Sequence, residues 1–293
     1  SLFMSCMDDK KFTMTLLEFY DLFKNKLISR VDKNELDEFF FWLIDHYCNY
    51  SRMDYILNSS FKISKTQEQN LINSIDSLLN EMPIQYVVGE TKFMNLVFKL
   101  NNSVLIPRPE TEELVRWIIN DAHTNKNILD IGTGSGCIAV SLSKYLNNCK
   151  VTGWDISEDI IKIASHNAYL NDVNVELELS DITKPKFLDY KYDVIVSNPP
   201  YITKNEKQFI SKNVKFFEPH IALFVENEDP LCFYKKIFDF SNSNLKSNGF
   251  LYIEINENFS KEVIKLLKDK GFYDIKLKKD FRLKNRMIKA IKK

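Results

Sequence analysis

The sequence predicts an α/β protein: a mostly parallel sheet with helices on both faces and an antiparallel edge strand, preceded by a small helical domain and a β-hairpin linker. Three observations predict it. Short β-rich runs alternate with helical ones through the C-terminal part of the chain. A turn with three alternate glycines follows the first of those runs. Up to Leu79 there is no glycine at all, and apolar residues recur at helical spacing.

The elements follow in order. Leu16, Leu17, Tyr20, Phe23 and Leu27, then Leu36, Phe39, Phe40 and Leu43, form apolar stripes that predict a helical domain over residues 1–82. Its aromatic stripe reads as core, and with no catalytic pattern the domain is expected to recognise a partner. From Met82 to Ile106 the period changes to two, with Phe93, Leu96, Phe98 and Leu100 among polar residues after Pro83 and Gly89. That predicts a β-hairpin linker over 83–106. In the domain spanning 107–293, Asn127–Ile131, Val151–Asp155, Val175–Leu179, Asp193–Ser197 and Phe250–Ile255 read as parallel strands separated by helices. Tyr273–Leu277 and Arg286–Ile291, joined by a short polar segment, read as the antiparallel addition at the edge.

Composition excludes several function classes. The chain has 293 residues, 44% of them hydrophobic, which is enough to fill a core. Its 40 Lys and Arg balance its 40 Asp and Glu, so no overall positive field is available to hold a polyanion, and stable nucleic-acid binding is not expected. The five cysteines, Cys6, Cys48, Cys137, Cys149 and Cys232, show no CxxC spacing, and His46, His123, His166 and His220 are scattered. No metal is expected, and the thiols suit a reducing cytoplasm. The longest apolar run, Phe39 to Ile44, is far short of a membrane span, and Asp8, Asp9, Lys10 and Lys11 stand where a signal peptide would be apolar. A cytoplasmic monomer is expected.

The segment from Asn127 through Asp130, Gly132, Thr133, Gly134, Ser135 and Gly136 to Val140 runs from a buried strand into a helix. Its glycines let a ligand approach the backbone, and the helix start aims N–H groups at it. Taken alone the motif also fits a dinucleotide fingerprint. The neighbouring acids favour a cationic cofactor: Asp130 would repel a pyrophosphate but attract a sulfonium and an ammonium. Asp155, closing the second strand, is placed to accept ribose hydroxyls, and Asp181, after the third, to accept an adenine amino group.

After the fourth strand comes Ser197-Asn198-Pro199-Pro200-Tyr201. The prolines stiffen the backbone and cannot donate, so the Asn198 side-chain oxygen and the Pro199 carbonyl can both accept from an NH₂ group. An amide or exocyclic amino nitrogen is a poor nucleophile; two acceptors on its hydrogens raise its electron density and aim it. Tyr201 is expected to stack on the planar group.

The chain resembles the HemK/PrmC protein-(glutamine-N5) methyltransferases. Besides the Asn198–Tyr201 motif, residues Pro83-Ile84-Gln85-Tyr86-Val87-Val88-Gly89-Glu90 are similar to that family's linker, and the run from Val104 through Pro107-Arg108-Pro109-Glu110-Thr111-Glu112-Glu113 to its signature before the catalytic domain. Phe217-Glu218-Pro219 with Ala222-Leu223 resembles its post-catalytic loop. The similarity runs from Pro83 to the C-terminus. It implies a Rossmann-like class I methyltransferase domain with a seven-stranded sheet, and S-adenosyl-L-methionine as cofactor, released as S-adenosyl-L-homocysteine. By this resemblance Gly132 to Gly136, Asp155, Asp181 and Ile182 hold the cofactor, joined by Asp130 and Asn198, while Asn198, Pro199, Pro200 and Tyr201 hold a glutamine amide. The implied substrate is the glutamine of the GGQ loop in class 1 peptide chain release factors. Asp229-Pro230 and Asn256 stand where the family usually has glycine, and the run from Asp280 to Arg286 lacks one. Two competing functions are weighed: methylation of an adenine or guanine amino group in DNA or RNA, for which the chain shows no basic recognition domain, and a non-catalytic cofactor-binding scaffold, which would not need the Asn198 acceptor pair.

Overall fold

Local capping explains where the N-terminal helices begin. The structure, a computed structural model, describes residues 12–186, 188–226 and 228–293, so Cys6 and the charged residues 8–11 lie outside it. The chain divides between Gly89 and Glu90 into two compact units. The first contains β1 (Phe12–Thr15), α1 (Leu16–Leu27), α2 (Lys33–Cys48), α3 (Arg52–Leu57), β2 (Lys62–Ser64), α4 (Lys65–Leu79) and α5 (Ile84–Val88). Thr15, Ser51 and Ser64 each close a capping box, with Glu18, Asp54 and Gln67 returning the bond, and α2 stops at Asn49 in the left-handed region. Leu16, Phe19, Phe23 and Leu27 of α1, Phe40, Leu43 and Ile44 of α2 and Leu71, Ile75 and Leu78 of α4 share one core. Leu17, counted with the apolar stripe in the sequence, is 44% exposed, because Leu16 and Phe19 take the inward positions.

Two local expectations change. β1 and β2 pair antiparallel, an addition to a unit expected to be wholly helical; with four and three residues they are too short for alternation to show in the sequence. Residues 84–88 form a helix rather than the start of a hairpin, entered through Pro83 and closed by Gly89 at φ 75°. In the second unit a hairpin follows, β3 (Glu90–Phe93) with β4 (Leu96–Lys99), turning through Met94 and Asn95 at φ 50° and 60°. Positive φ at both central residues gives the turn the twist that suits a two-residue hairpin.

The second unit continues with α6 (Pro109–Asn120), β5 (Asn127–Ile131), α7 (Cys137–Tyr145), β6 (Lys150–Asp155), α8 (Glu158–Leu170), β7 (Val175–Leu179), β8 (Tyr192–Ser197), β9 (Ile202–Thr203), α9 (Lys212–Phe217), α10 (His220–Leu223), β10 (Phe224–Val225), α11 (Cys232–Asn244), β11 (Leu245–Glu254), α12 (Ser260–Asp269), β12 (Phe272–Lys279) and β13 (Asn285–Lys292). Seven strands form one sheet in the order β12-β13-β11-β8-β5-β6-β7, which is the α/β fold class expected. From β11 to β7 the pairs are parallel; β13 runs antiparallel to both neighbours, one position in from the edge strand β12. Alternate residues feed two cores. Ile128, Val194 and Tyr252 pack under α6 and α7 with Leu114, Ile118 and Val140, while Leu129, Ile195 and Ile253 face Ile237 and Phe238 of α11 and Val263 and Leu267 of α12.

Candidate active site

The strand order reverses beside β5, with β6 and β7 on one side and β8 and β11 on the other. Crevices for ligands form at the carboxyl ends of strands at such a reversal. Here a cleft opens, lined among others by Gly132 to Ser135, Asp155, Ile156, Ser180, Ile182 and Asn198 to Pro200.

The glycine turn is held from below. Gly132 and Thr133 donate their backbone N–H groups to the Trp154 carbonyl at 2.9 and 2.8 Å, and the Thr133 hydroxyl donates to Asp130 Oδ2 at 2.7 Å. Gly132 and Gly134 have φ of 74° and 54°, and a Cβ on either would meet nothing within 4 Å. Their lack of side chain therefore keeps space open for a ligand. Gly136 serves packing instead: a Cβ there would lie 3.3 Å from that of Ala164 on α8.

The three acids have different fates. Asp155, at the end of β6, is on the cleft wall, 9% exposed. Its carboxylate accepts from Gly134 N at 2.9 Å and Ile156 N at 2.8 Å, one bond to each oxygen, which leaves lone pairs for hydroxyls. Burial raises its pKa against these hydrogen bonds. Asp130 is fully buried and is not on the wall. It follows Ile128 onto the sheet face that α7 covers, and burial pushes its carboxyl up to about 7. Its Oδ2 accepts from the Thr133 hydroxyl, so it anchors the turn from beneath. Asp181 is exposed and also off the wall. Its Oδ1 accepts from the hydroxyl and backbone N–H of Thr183 at 2.7 and 2.8 Å, which holds its pKa below the ordinary value. That local turn engages one of its two oxygens, and its neighbours Ser180 and Ile182 line the cleft.

On the opposite wall, Asn198 Nδ2 donates to the Thr111 hydroxyl at 3.1 Å, and that hydroxyl donates to Glu254 Oε2 at 2.7 Å. The Tyr201 hydroxyl donates to Glu254 Oε1 at 2.9 Å and accepts from Arg286 Nη1 at 3.3 Å, while Arg286 pairs with Asp280 at 3.0 Å. Tyr201 therefore turns into the core, away from the cleft where stacking was expected, because a buried carboxylate needs donors. Burial raises the Glu254 pKa, and the Thr111 and Tyr201 hydrogen bonds oppose it. A second buried acid, Glu218, pairs with Arg108 and accepts from Ile106 N at 3.2 Å. Thr111, Glu254 and Glu218 were not singled out for chemistry from the sequence. A glutamate inside the apolar run Phe250–Ile255 was the available signal. Asn256 has φ −70°, so the position needs no glycine; its amide instead bonds the Tyr201 carbonyl at 3.0 Å.

Among the described residues no group of three or more His, Cys, Asp or Glu could hold a metal ion, and no helix is long and apolar enough to cross a membrane.

Residues 22–89 match the PrmC N-terminal domain family and residues 110–228 the methyltransferase small domain family. The first match extends similarity into the N-terminal unit. The release factor glutamine methyltransferase of Flavobacterium psychrophilum is 42% identical over 94% of this chain and 99% of its own length. That of Bacteroides thetaiotaomicron is 39% identical over 81% and 86%. Among solved structures, a methyltransferase from Pyrococcus furiosus shares the fold at a TM-score of 0.51 and 18% identity, covering 78% of this chain and 98% of that one. A Thermus thermophilus 16S rRNA N2 G1207 methyltransferase, solved with AdoMet and guanosine, reaches 0.51 at 15% identity over 70% and 50%.

Proposed function

The chain belongs to the release factor glutamine methyltransferase family, and from that premise we propose that it methylates the side-chain amide nitrogen of the GGQ glutamine in class 1 peptide chain release factors. The observation that carries the reading is that the glycine turn, Asp155 and Asn198 to Pro200 line one cleft.

S-adenosyl-L-methionine, the cofactor of this family, supplies an electrophilic methyl on a sulfonium. The donor set fits it. Asp155 has lone pairs for ribose hydroxyls, the open backbone at Gly132 and Gly134 admits the amino-acid part, and Ile156, Ile160 and Ile182 offer apolar surface to a base. Asn198 Oδ1 and the Pro199 carbonyl accept the two amide hydrogens of glutamine and so orient the nitrogen lone pair toward the methyl. The two prolines keep both acceptors in place. When bound, the cofactor would give its methyl to that nitrogen, the sulfur keeping the electron pair of the broken sulfur–carbon bond; the amide proton, acidic after transfer, would pass to water, so no strong base is required of the chain. Docking of the factor is assigned to the N-terminal unit, where Met53, Ile56 and Leu57 of α3 are 63%, 65% and 78% exposed.

The test is transfer of labelled methyl from S-adenosyl-L-methionine to a purified class 1 release factor, beside its GGQ-to-GGA variant and unmethylated DNA. Label on the wild-type factor alone is expected. Label on DNA would replace the reading with base methylation. Asn198→Ala should lower kcat about 100-fold or more while S-adenosyl-L-homocysteine binds as before; full activity in that variant would remove Asn198 from the mechanism.

A further inference from the structure

An amide such as Asn198 can face the cleft with either end. With its oxygen outward it accepts from a substrate NH₂; with its nitrogen outward it opposes one donor with another. The hydrogen bonds behind it settle the choice. Arg286 is a donor only, and Glu254, when ionised, an acceptor only. Tyr201 receives from Arg286 at 3.3 Å and donates to one Glu254 oxygen at 2.9 Å, so the other oxygen, 2.7 Å from Thr111, is left to the Thr111 hydroxyl proton. With its proton directed to Glu254, Thr111 offers a lone pair at 3.1 Å to Asn198, and only the NH₂ end can use it.

On the methyl-transfer reading above, we infer that Thr111 and Glu254 are positioning residues that fix the Asn198 amide with its oxygen toward the substrate. They come from separate elements, Thr111 from the first turn of α6 and Glu254 from the last position of β11, and meet beside the end of β8. Glu254 is 1% exposed and Thr111 2%, so water has little access to substitute for either. A buried carboxylate closing an apolar strand is costly where apolar packing would serve, and the polarity it imposes on Asn198 gives it a use.

Thr111→Val keeps the shape and removes the hydroxyl. It should lower kcat for release-factor methylation by about 30-fold, with the KM for S-adenosyl-L-methionine and the affinity for S-adenosyl-L-homocysteine changed less than about twofold. Thr111→Ser, which restores the hydroxyl, should recover kcat to within about threefold of wild type. A purely structural role would move binding and kcat together, or leave the serine variant as poor as the valine one; either result overturns the inference, as does wild-type kcat in Thr111→Val. Should Thr111→Val fail to fold, Glu254→Gln carries the same expectation, since it removes the fixed acceptor at similar volume: reduced kcat with intact cofactor binding supports the role, and unchanged kcat refutes it. Wild-type enzyme inactive on the release factor would instead overturn the functional reading and this inference with it, whereas an active wild type beside an equally active variant overturns the orientation role alone.

Discussion

Gly153, midway along β6, has no partner motif in the sequence, yet the glycine turn depends on its size. A Cβ there would lie 2.8 Å from Leu177 Cδ2 and 2.9 Å from Thr133 Oγ1, and Thr133 is the residue that ties the turn to Asp130. Gly153→Ala should therefore displace Thr133, destabilise the second unit by about 1–3 kcal/mol, and weaken S-adenosyl-L-homocysteine binding in a calorimetric titration. Wild-type affinity would mean that the turn keeps its shape without the Thr133–Asp130 bond. At this scale the sequence was informative about the cleft backbone and poor about side-chain direction. Gly132 to Ser135, Asp155 and Asn198 were readable as cleft positions because strand ends and glycine spacing locate them. Asp130, Asp181 and Tyr201 were readable as positions but not as orientations: Asp130 and Asp181 are held by short-range bonds with Thr133 and Thr183, and Tyr201 by Glu254, which no local pattern couples to it.

Strands were legible where an apolar run has clear borders. β5 and β7 begin and end where apolar β-rich runs do, and β8 starts one residue before its run. β11 starts at Leu245, five residues before its apolar run, because a register shift between Leu245 and Phe250 admits polar residues into the strand. The segments between strands are fixed by contacts distant in sequence. The Arg108–Glu218 pair ties the stretch before α6 to the end of α9, and the Ile106 N–H adds to it at 3.2 Å. Both stretches reach the cleft, through Pro107 and Arg108 on one side and Ile221 and Ala222 on the other. The Glu218 side chain is fully buried and that of Arg108 31% exposed, so Glu218→Gln leaves a guanidinium largely shielded from water without its counter-charge. The expected loss is about 3 kcal/mol in denaturant unfolding, with faster hydrogen exchange at residues 104–108 and 217–223. Exchange unchanged in both stretches would show that packing alone holds this side of the cleft.

Three acids gathered under and around the cleft, Asp130, Asp155 and Glu254, have pKa values raised by burial, and this bears on stability across the whole pH range. For Asp130 the carboxyl moves from 3.8 in the open chain to about 7 when folded. A raised carboxyl means that the folded state binds its proton more tightly than the unfolded state does. Its contribution is therefore complete below 3.8 and is lost as pH rises through about 7. Asp193 and Asp280 act in the opposite sense: hydrogen bonds and pairing with Lys246 and Arg286 outweigh burial and lower their pKa values, so their contribution is lost as the solution becomes acidic. The wild-type curve is the sum of both, and only a difference isolates Asp130. Asp130→Asn keeps an acceptor for Thr133 and cannot ionise, so it should gain on wild type steadily from pH 4 toward about pH 7 and hold that gain above it. Hydrogen exchange of the β5 and β6 amides, followed against pH without cofactor, reads the second unit by itself. Parallel curves for the two proteins would mean that Asp130 ionises as readily folded as unfolded, and that the base of the glycine turn is open to water.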